Sequence, residues 1–247
     1  MKRYKGNYAH MTDIGRVRVS NEDQATVVTN EHGDVLLIVC DGMGGQNKGD
    51  YASRAAIEYL VEAFRSKTTK WLFPKWWLLR AIRAANSLIY EQAERNKNYA
   101  GMGTTLVAAL LIGEKLYVAN VGDSRAYLYS PEVGLLHLTN DQTYVEYLYR
   151  TGQIDKEEVY THPERHALMN ALGIFPSAAM DLYSRSYHGE SILLCSDGLY
   201  NNLSEAEIRA VLASDQRPDQ KVKSLIIDAN GNGGSDNIGI AYWEAIL

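Results

Sequence analysis

Acidic side chains recur at the ends of apolar, strand-like runs in this sequence, next to small or flexible backbone. The residues are the adjacent pair Glu22 and Asp23 together with Asp41, Asp123, Asp197 and Asp236. Each one alone is typical of a turn, because Asp beside Gly is common there. Gathered at one end of a stacked core, however, these carboxylates would repel one another unless a cation held them together. The pattern therefore predicts a metal centre.

The type of ligand indicates which metal. All the candidate donors are oxygens, and no Cys/His cluster accompanies them, so Mg²⁺ or Mn²⁺ is favoured over structural Zn²⁺. The carbonyl of Gly42, directly after Asp41, is a further candidate ligand. Several acids around such ions suit a two-metal site that activates water for attack on a phosphorus or carbonyl centre. Arg18 offers a planar fork for phosphate oxygens, although its position alone favours an ordinary surface arginine.

Other catalytic motifs are missing or incomplete. Cys195 has Asn201 rather than arginine six residues later, so a thiolate phosphatase loop is excluded. No G-x-x-x-x-G-K-[ST] sequence exists, and "GMGGQN" fails G-x-G-x-x-G at its last position. His162 and His166 lack the metalloprotease order, and we expect packing or capping roles for both.

Composition restricts the class of protein. The chain has 247 residues, of which 46% are hydrophobic, and a net charge of -5, which argues against nucleic acid or an anionic membrane as the main partner. Cys40 and Cys195 lie in apolar runs and are predicted to be buried free thiols. No apolar run is long enough to span a bilayer. We expect a cytoplasmic monomer with no membrane span.

The hydrophobic patterns predict strands at both ends of the chain, with helices inserted between them. The first strand should turn at 20–22 into a return strand, and 104–121 should form a hairpin whose sheet continues through 125–138. The remaining predictions are a buried strand at 35–40, helices at about 50–67, 75–96 and 144–150, and strands at 181–187 and 191–196. Two helices should precede a final strand, one with the capping signature of Ser204 and Glu207 and the other with Pro218 at its start and Gly231 past its end. This order is not βαβ, and it favours two mainly antiparallel sheets face to face with helices outside.

Eight sequence blocks then resemble the metal-dependent Ser/Thr protein phosphatases of the 2C type, in their compact bacterial form. The blocks occur in family order and cover nearly the whole chain. They read "TDIGRVRVSNED", "CDGMGGQNKGDYAS", "GMGTTLVAALL", "VANVGDSRAYLY", "LTNDQT", "HPERHALMNALG", "LLCSDGLYNNLS" and "GGSDNIGIAYW". The resemblance implies an α+β fold, a four-layer αββα sandwich, formed by a single domain over 1–247, with a flap at about 140–176.

The resemblance also implies the role of each candidate residue. Asp41 would bridge two metal ions, with Glu22 and the Gly42 carbonyl completing one site. The other site would use Asp197 and Asp236, and Asp123 with Asp197 would hold a weaker third ion. Arg18 would bind the substrate phosphate, and Asp23 would orient metal-bound water.

The implied activity is hydrolysis of phosphoserine and phosphothreonine by direct attack of a metal-bridging hydroxide on phosphorus. Mn²⁺ or Mg²⁺ would be the cofactor. The implied partners are phosphorylated proteins and a cognate bacterial Ser/Thr kinase whose signalling the enzyme reverses.

Two departures from the family pattern motivate an alternative, a binding module that recognises phosphoproteins without cleaving them. Many bacterial members have His where this chain has Gln46, and the flap motif Asp-His-Ser is replaced by Asp141-Gln142-Thr143. Neither change touches an implied metal ligand, so the sequence favours the enzyme.

One further feature is the segment "KWLFPKWWLL", which contains Trp71, Trp76 and Trp77 between the two predicted helices. The burial habits of tryptophan favour packing of the second helix onto the sheet. The alternative is an exposed aromatic patch that docks a partner, such as a kinase.

Overall fold

The computed structural model describes residues 3–44, 48–67 and 69–246. The strands are β1 (Gly6–Asp13), β2 (Asp23–Thr29), β3 (Val35–Met43), β4 (Gly103–Thr104), β5 (Leu106–Ile112), β6 (Lys115–Val121), β7 (Arg125–Ser130), β8 (Gly134–His137), β9 (Asp181–Ser186), β10 (Ser191–Cys195) and β11 (Ile238–Ala245). The helices are α1 (Lys48–Arg65), α2 (Pro74–Arg95), α3 (Tyr144–Arg150), α4 (Lys156–Thr161), α5 (Asp197–Tyr200), α6 (Glu205–Leu212) and α7 (Pro218–Gly231). A 3-10 turn spans Lys97–Tyr99.

The strands form two antiparallel sheets. One has the order β1-β11-β10-β7-β8, and the other has the order β2-β3-β5-β6-β9, with β4 paired to β3. The apolar core between the sheets includes Leu37, Val39, Val107, Ile192 and Leu194. Inward side chains of both sheets therefore exclude water from the middle of the molecule.

Helices cover the outer face of each sheet. A second core joins α1 and α2 to the β2-to-β9 sheet through residues such as Leu60, Ile82 and Leu110. A third joins α6 and α7 to the β1-to-β8 sheet through residues such as Leu225 and Ile240. The layers are thus helices, sheet, sheet, helices, and the predicted αββα sandwich is confirmed.

Local sequence signals account for several element ends. In α6, Ser204 and Glu207 form the predicted capping box, which satisfies backbone N–H groups of the first turn. Pro218 begins α7, where its missing N–H costs nothing. In α3, Thr143 accepts a hydrogen bond from the Glu146 N–H. Among the described residues, no helix is long and apolar enough to cross a membrane.

The predicted strand pairing is wrong at two places. β1 and β2 are not a hairpin, because β1 pairs with β11 and β2 pairs with β3 in the opposite sheet. β7 and β8 do not continue the β5–β6 sheet but join β10 in the other sheet. Chain connections that cross from one sheet to the other are not encoded in local periodicity.

The buried strand β3 is also longer than predicted. It continues through Asp41 to Met43, because Gly42 and Met43 pair with Thr104 and Gly103 of β4. Asp41 therefore sits within a hydrogen-bonded strand rather than after its end. This pairing fixes the Asp41 backbone more rigidly than a turn would.

The tryptophans divide between the two predicted interpretations. Trp71 and Trp77 are partly buried against the α1–α2 core, their ring centroids are 5.0 Å apart, and Trp71 Nε1 donates to Asp34 Oδ2 at 2.7 Å. Trp76 is 61% exposed, so the packing prediction is wrong for this residue. Cys40 and Cys195 are buried free thiols, as predicted. Gln46 lies outside the described residues.

Candidate active site

A cleft of about 1460 Å³ opens at the end of the sandwich where β2 and β11 begin and β6 and β10 finish. It brings together seven of the eight residues that the sequence singled out. Its walls include Arg18, Glu22, Asp41, Gly42, Asp123, Asp197 and Asp236. The eighth, Asp23, is fully buried directly beside the cleft, because it is the register partner of Asp41 across β2 and β3.

Burial and mutual repulsion dominate the electrostatics of the strand pair. The Ser196 hydroxyl donates to Asp23 Oδ2 at 2.6 Å, yet burial, with Asp197 and Asp236 nearby, raises the pKa of Asp23 to about 8. Burial and the neighbouring Asp23 carboxylate hold the pKa of Asp41 well above its usual range. Too little positive charge lies near Asp23 or Asp41 for these carboxyl groups to ionise at the pH at which an exposed aspartate does.

The carboxyl groups on the opposite wall of the cleft also lack compensating positive charge. Asp197 begins α5, and burial together with Asp236 raises its pKa to about 6. Burial and Asp197 hold the pKa of Asp123 well above normal. Asp23 Oδ1 and Asp197 Oδ1 are buried and have no hydrogen-bond partner within the described ranges. Buried orphaned carboxylate oxygens are unusual in a finished scaffold and mark sites where a ligand completes the bonding.

The loop from 14 to 22 is fixed by one amide side chain. Asn237 Oδ1 accepts from the Glu22 backbone N–H at 2.9 Å, and Asn237 Nδ2 donates to the Ile14 and Ser20 carbonyls, each at 2.9 Å. Asp236 adds a second tie, because Arg18 Nη2 donates to Asp236 Oδ2 at 2.6 Å. The Arg18 side chain remains 56% exposed, so most of its donors can reach a ligand.

Two glycines permit the close backbone contact that places Glu22. A Cβ on Gly42 would meet the Gly49 carbonyl oxygen at 2.2 Å, and a Cβ on Gly49 would meet Glu22 Oε2 at 2.5 Å. The Gly42 N–H also donates to the Glu22 carbonyl at 3.1 Å. Any side chain at either position would push α1 away from the cleft.

The flap is anchored by the residues that depart from the family motif. Gln142 Oε1 accepts from the Gly122 N–H at 2.9 Å, directly before Asp123, and Gln142 Nε2 donates to Asp181 Oδ2 at 3.1 Å. The backbone adds a bond from the Gln142 N–H to the Gly122 carbonyl at 3.0 Å. Gln142 therefore ties the flap to the sheet beside an implied metal ligand, and glutamine suits this role because it both accepts and donates.

Asp141 has a partner of its own. Arg125 Nε donates to Asp141 Oδ1 at 3.0 Å, and Arg125 Nη2 donates to Asp141 Oδ2 at 2.6 Å. The guanidinium lies 3.5 Å above the Tyr200 ring, and the Tyr200 hydroxyl donates to the Asp123 carbonyl at 3.1 Å. The network connects the start of the flap with two walls of the cleft.

The acids share the cleft but do not converge tightly. Within residues 3–44, 48–67 and 69–246, no three His, Cys, Asp or Glu side chains approach closely enough to enclose an ion as they stand. Their chemistry nevertheless fits hard divalent cations, because the donors are oxygens and two of them are buried without partners.

Sequence reasoning missed three cleft residues. Arg125 and Asn237 lie inside the quoted motifs "GDSR" and "SDN", and that adjacency was the only signal for either. His166 was expected to be packed or capping, but it lines the cleft with its Nδ1 3.9 Å from Asp197 Oδ2, and burial with Arg165 nearby lowers its pKa. His162 follows the end of α4, and its Nδ1 accepts from the Glu164 N–H at 3.1 Å within the turn that follows.

Comparison with known proteins gives a consistent result. Residues 16–222 match the protein phosphatase 2C family. The serine/threonine phosphatase stp of Listeria innocua is 39% identical over 239 residues, which cover 96% of this chain and 94% of the relative. The crystal structure of the serine/threonine phosphatase Stp1 from Staphylococcus aureus has a TM-score of 0.91 and 32% identity, covering 100% of this chain and 98% of that one.

A further solved structure bears on the metal. The catalytic domain of the serine/threonine protein phosphatase PstP, in complex with two manganese ions, has a TM-score of 0.84 and 33% identity, covering 98% of this chain and 99% of that one. The substitutions in the flap motif do not move the chain outside this group. The chain belongs to the protein phosphatase 2C family of metal-dependent serine/threonine phosphatases.

Proposed function

We propose that the acid-lined cleft is the catalytic centre at which this serine/threonine phosphatase hydrolyses phosphorylated proteins. The observation that carries the proposal is the set of buried carboxylates with raised pKa values and with oxygens, Asp23 Oδ1 and Asp197 Oδ1, that have no partner in the described part of the chain. A bound divalent cation would offset the repulsion among these carboxylates.

In this proposal the metal ligands fall into two groups. Asp41, Glu22 and the Gly42 carbonyl would hold one ion, and Asp197 and Asp236 would hold the other, with Asp41 as a ligand available to both. A third ion would use Asp123 with Asp197. When bound, Mn²⁺ or Mg²⁺ supplies an acidified water molecule and positive charge for the phosphoryl group.

Arg18 and Asp23 would act on the substrate phosphate and on the attacking water. Arg18 stands at the rim of the cleft with an exposed guanidinium that can take phosphate oxygens as a fork. Asp23 is fixed by the Ser196 hydroxyl and by its strand pairing with Asp41, which suits a residue that orients the attacking water. The flap from 140 to 176 lies along the cleft, where it can contact the protein that carries the phosphate.

Several finer points stay predictions. We propose that 1–247 form a single catalytic domain that works as a monomer in the cytoplasm and that a Ser/Thr kinase supplies its substrates. The number of bound ions and the choice between Mn²⁺ and Mg²⁺ belong to the same proposal.

The test is the Asp41→Asn variant, with Asp215→Asn, an exposed acid outside the cleft, as the matched control. We expect D41N to lose turnover of a phosphothreonine peptide and of p-nitrophenyl phosphate in Mn²⁺, and to lose Mn²⁺ affinity in calorimetry, with an unchanged circular dichroism spectrum. D215N should have the turnover and Mn²⁺ affinity of the unmodified protein, and EDTA should abolish the turnover of both of these proteins. Full activity of D41N in Mn²⁺ would contradict the proposed centre.

A further inference from the structure

One stretch of this acidic protein carries basic side chains and no acidic ones. Residues 63–90 contain six cationic side chains and no Asp or Glu. This stretch alone contributes +6, and so leaves -11 on the remainder of a chain whose net charge is -5. The six are Arg65, Lys67, Lys70, Lys75, Arg80 and Arg83.

The same stretch carries the large apolar side chains that packing leaves outside. Leu72 is 82% exposed, Phe73 is 74% exposed and Trp76 is 61% exposed. They stand on the connection between α1 and α2 and on the first turn of α2, beside a depression of about 720 Å³. We define the loop patch by its seven members, which are Lys67, Lys70, Leu72, Phe73, Lys75, Trp76 and Arg80.

The cations of the loop patch have no acidic partner. None of its four basic side chains forms an ion pair with any residue that the structure describes. Lys67 Nζ instead donates to the backbone carbonyl of Thr69 at 2.6 Å and lies 5.2 Å from the Trp71 ring centroid. Unpaired cations around exposed aromatic and aliphatic groups are complementary to a surface that is anionic outside and apolar beneath.

We propose that the loop patch binds the surface of an anionic lipid bilayer. Leu72 and Phe73 would enter the boundary between headgroups and acyl chains, Trp76 would lie at headgroup level, and the basic side chains would contact lipid phosphates. A soft bilayer suits these side chains better than a preformed protein groove does, because at 82% and 74% exposure Leu72 and Phe73 stand clear of the surface around them.

The position of the patch is compatible with catalysis. Helix α1 begins beside the cleft, where Gly49 touches Gly42, and leads to the loop patch at its other end. Its 18 residues separate the two by about 27 Å. Binding through the patch would therefore leave the cleft accessible to a phosphorylated protein, and the whole-chain charge does not oppose it, because charges farther than about 8–10 Å are largely screened at physiological salt.

The experiment is cosedimentation of the full chain with large unilamellar vesicles. Equimolar phosphatidylcholine and phosphatidylglycerol vesicles are compared with pure phosphatidylcholine vesicles, at 0.1 M and 0.5 M NaCl. One variant, Phe73→Ser with Trp76→Ser, removes apolar contacts, and serine at 73 suits the position before α2. A second, Lys70→Glu with Lys75→Glu, reverses charge. The matched controls are Val133→Ser, 72% exposed on another loop, and Lys223→Glu, exposed on α7.

We expect binding to the anionic vesicles only, a partition coefficient at least roughly tenfold lower in both patch variants and in 0.5 M NaCl, and no change in the controls. Turnover of p-nitrophenyl phosphate should stay unchanged in all four variants, which shows that they fold and separates this test from that of the cleft. The proposal is overturned by absent or salt-independent vesicle binding, or by equal losses in the controls. Binding to a soluble Glu/Tyr copolymer is measured alongside. The proposal is also overturned if the patch variants lose binding to the copolymer but not to the vesicles, because the surface would then accept an acidic protein segment.

Discussion

Two sets of partly or fully buried carboxylates lie in or directly beside the same cleft, and they differ in how completely the protein satisfies their charge and hydrogen bonds. Asp141 accepts two hydrogen bonds from Arg125, so its charge is balanced by the fold itself. Asp23 and Asp197 keep an oxygen without a partner in the described part of the chain, and their pKa values are raised to about 8 and about 6. Under the proposed assignment, the difference separates a structural ion pair, which the chain completes, from a binding site, which a cation would complete.

The largest expected effect comes from exchanging one acid in each set. Asp197→Asn should reduce turnover in Mn²⁺ by roughly 1000-fold or more, because a metal ligand supplies several kcal/mol of transition-state stabilisation. Its unfolding free energy should not fall, because a repelling carboxylate is removed. The main effect of Asp141→Asn should instead be a lower free energy of unfolding. Phosphopeptide kinetics measure the turnover of both variants, and urea unfolding measures their stability. If D197N lost as much unfolding free energy as D141N, the two carboxylates would not differ in the way described.

A smaller effect is expected from breaking the finished pair. Arg125→Met leaves Asp141 without its cation, and we expect a loss of about 2–3 kcal/mol of unfolding free energy, since both side chains are only about one-fifth exposed. Adding Asp141→Leu should recover most of the loss.

The control for this pair is Arg95→Met, whose partner Glu91 is 57% exposed and which should cost under about 0.5 kcal/mol. Urea unfolding of the four proteins gives the comparison. An R125M loss no larger than that of R95M would show that Asp141 does not depend on this cation.

Much of the molecule was predictable from local sequence. The bounds of α3 and α7, the capping box of α6 and the grouping of the acids at one end of the sandwich all follow from short patterns. Sheet membership did not, because β1 and β2 are consecutive yet pair with β11 and β3, and that choice depends on contacts distant in sequence. Arg125 was missed for the same reason, since its partner is on the flap, and Trp76 because a tryptophan is more often packed than exposed.

The smallest expected effect is the pH dependence of stability in EDTA. The folded protein holds protons on Asp23 and Asp197 up to about pH 8 and pH 6, whereas an unfolded aspartate releases them near pH 4. The folded state thus binds more protons in this window, so its unfolding free energy should fall as pH rises from about 4 to 8.

Saturating Mn²⁺ should flatten this dependence, because a cation replaces the protons, and the Asp197→Asn variant should show a shallower slope in EDTA. Urea unfolding at pH 5, 6, 7 and 8 measures it. A stability that increases with pH in EDTA would mean that the cleft acids are already compensated by the fold.

The most direct measurement is anomalous diffraction at the manganese edge from crystals of the full chain soaked in MnCl₂. Two strong peaks are expected in the cleft, one beside Asp41 and Glu22 and one beside Asp41, Asp197 and Asp236, with a weaker third near Asp123. Peaks confined to the outer surface, with none within bonding distance of Asp41, would contradict the metal centre.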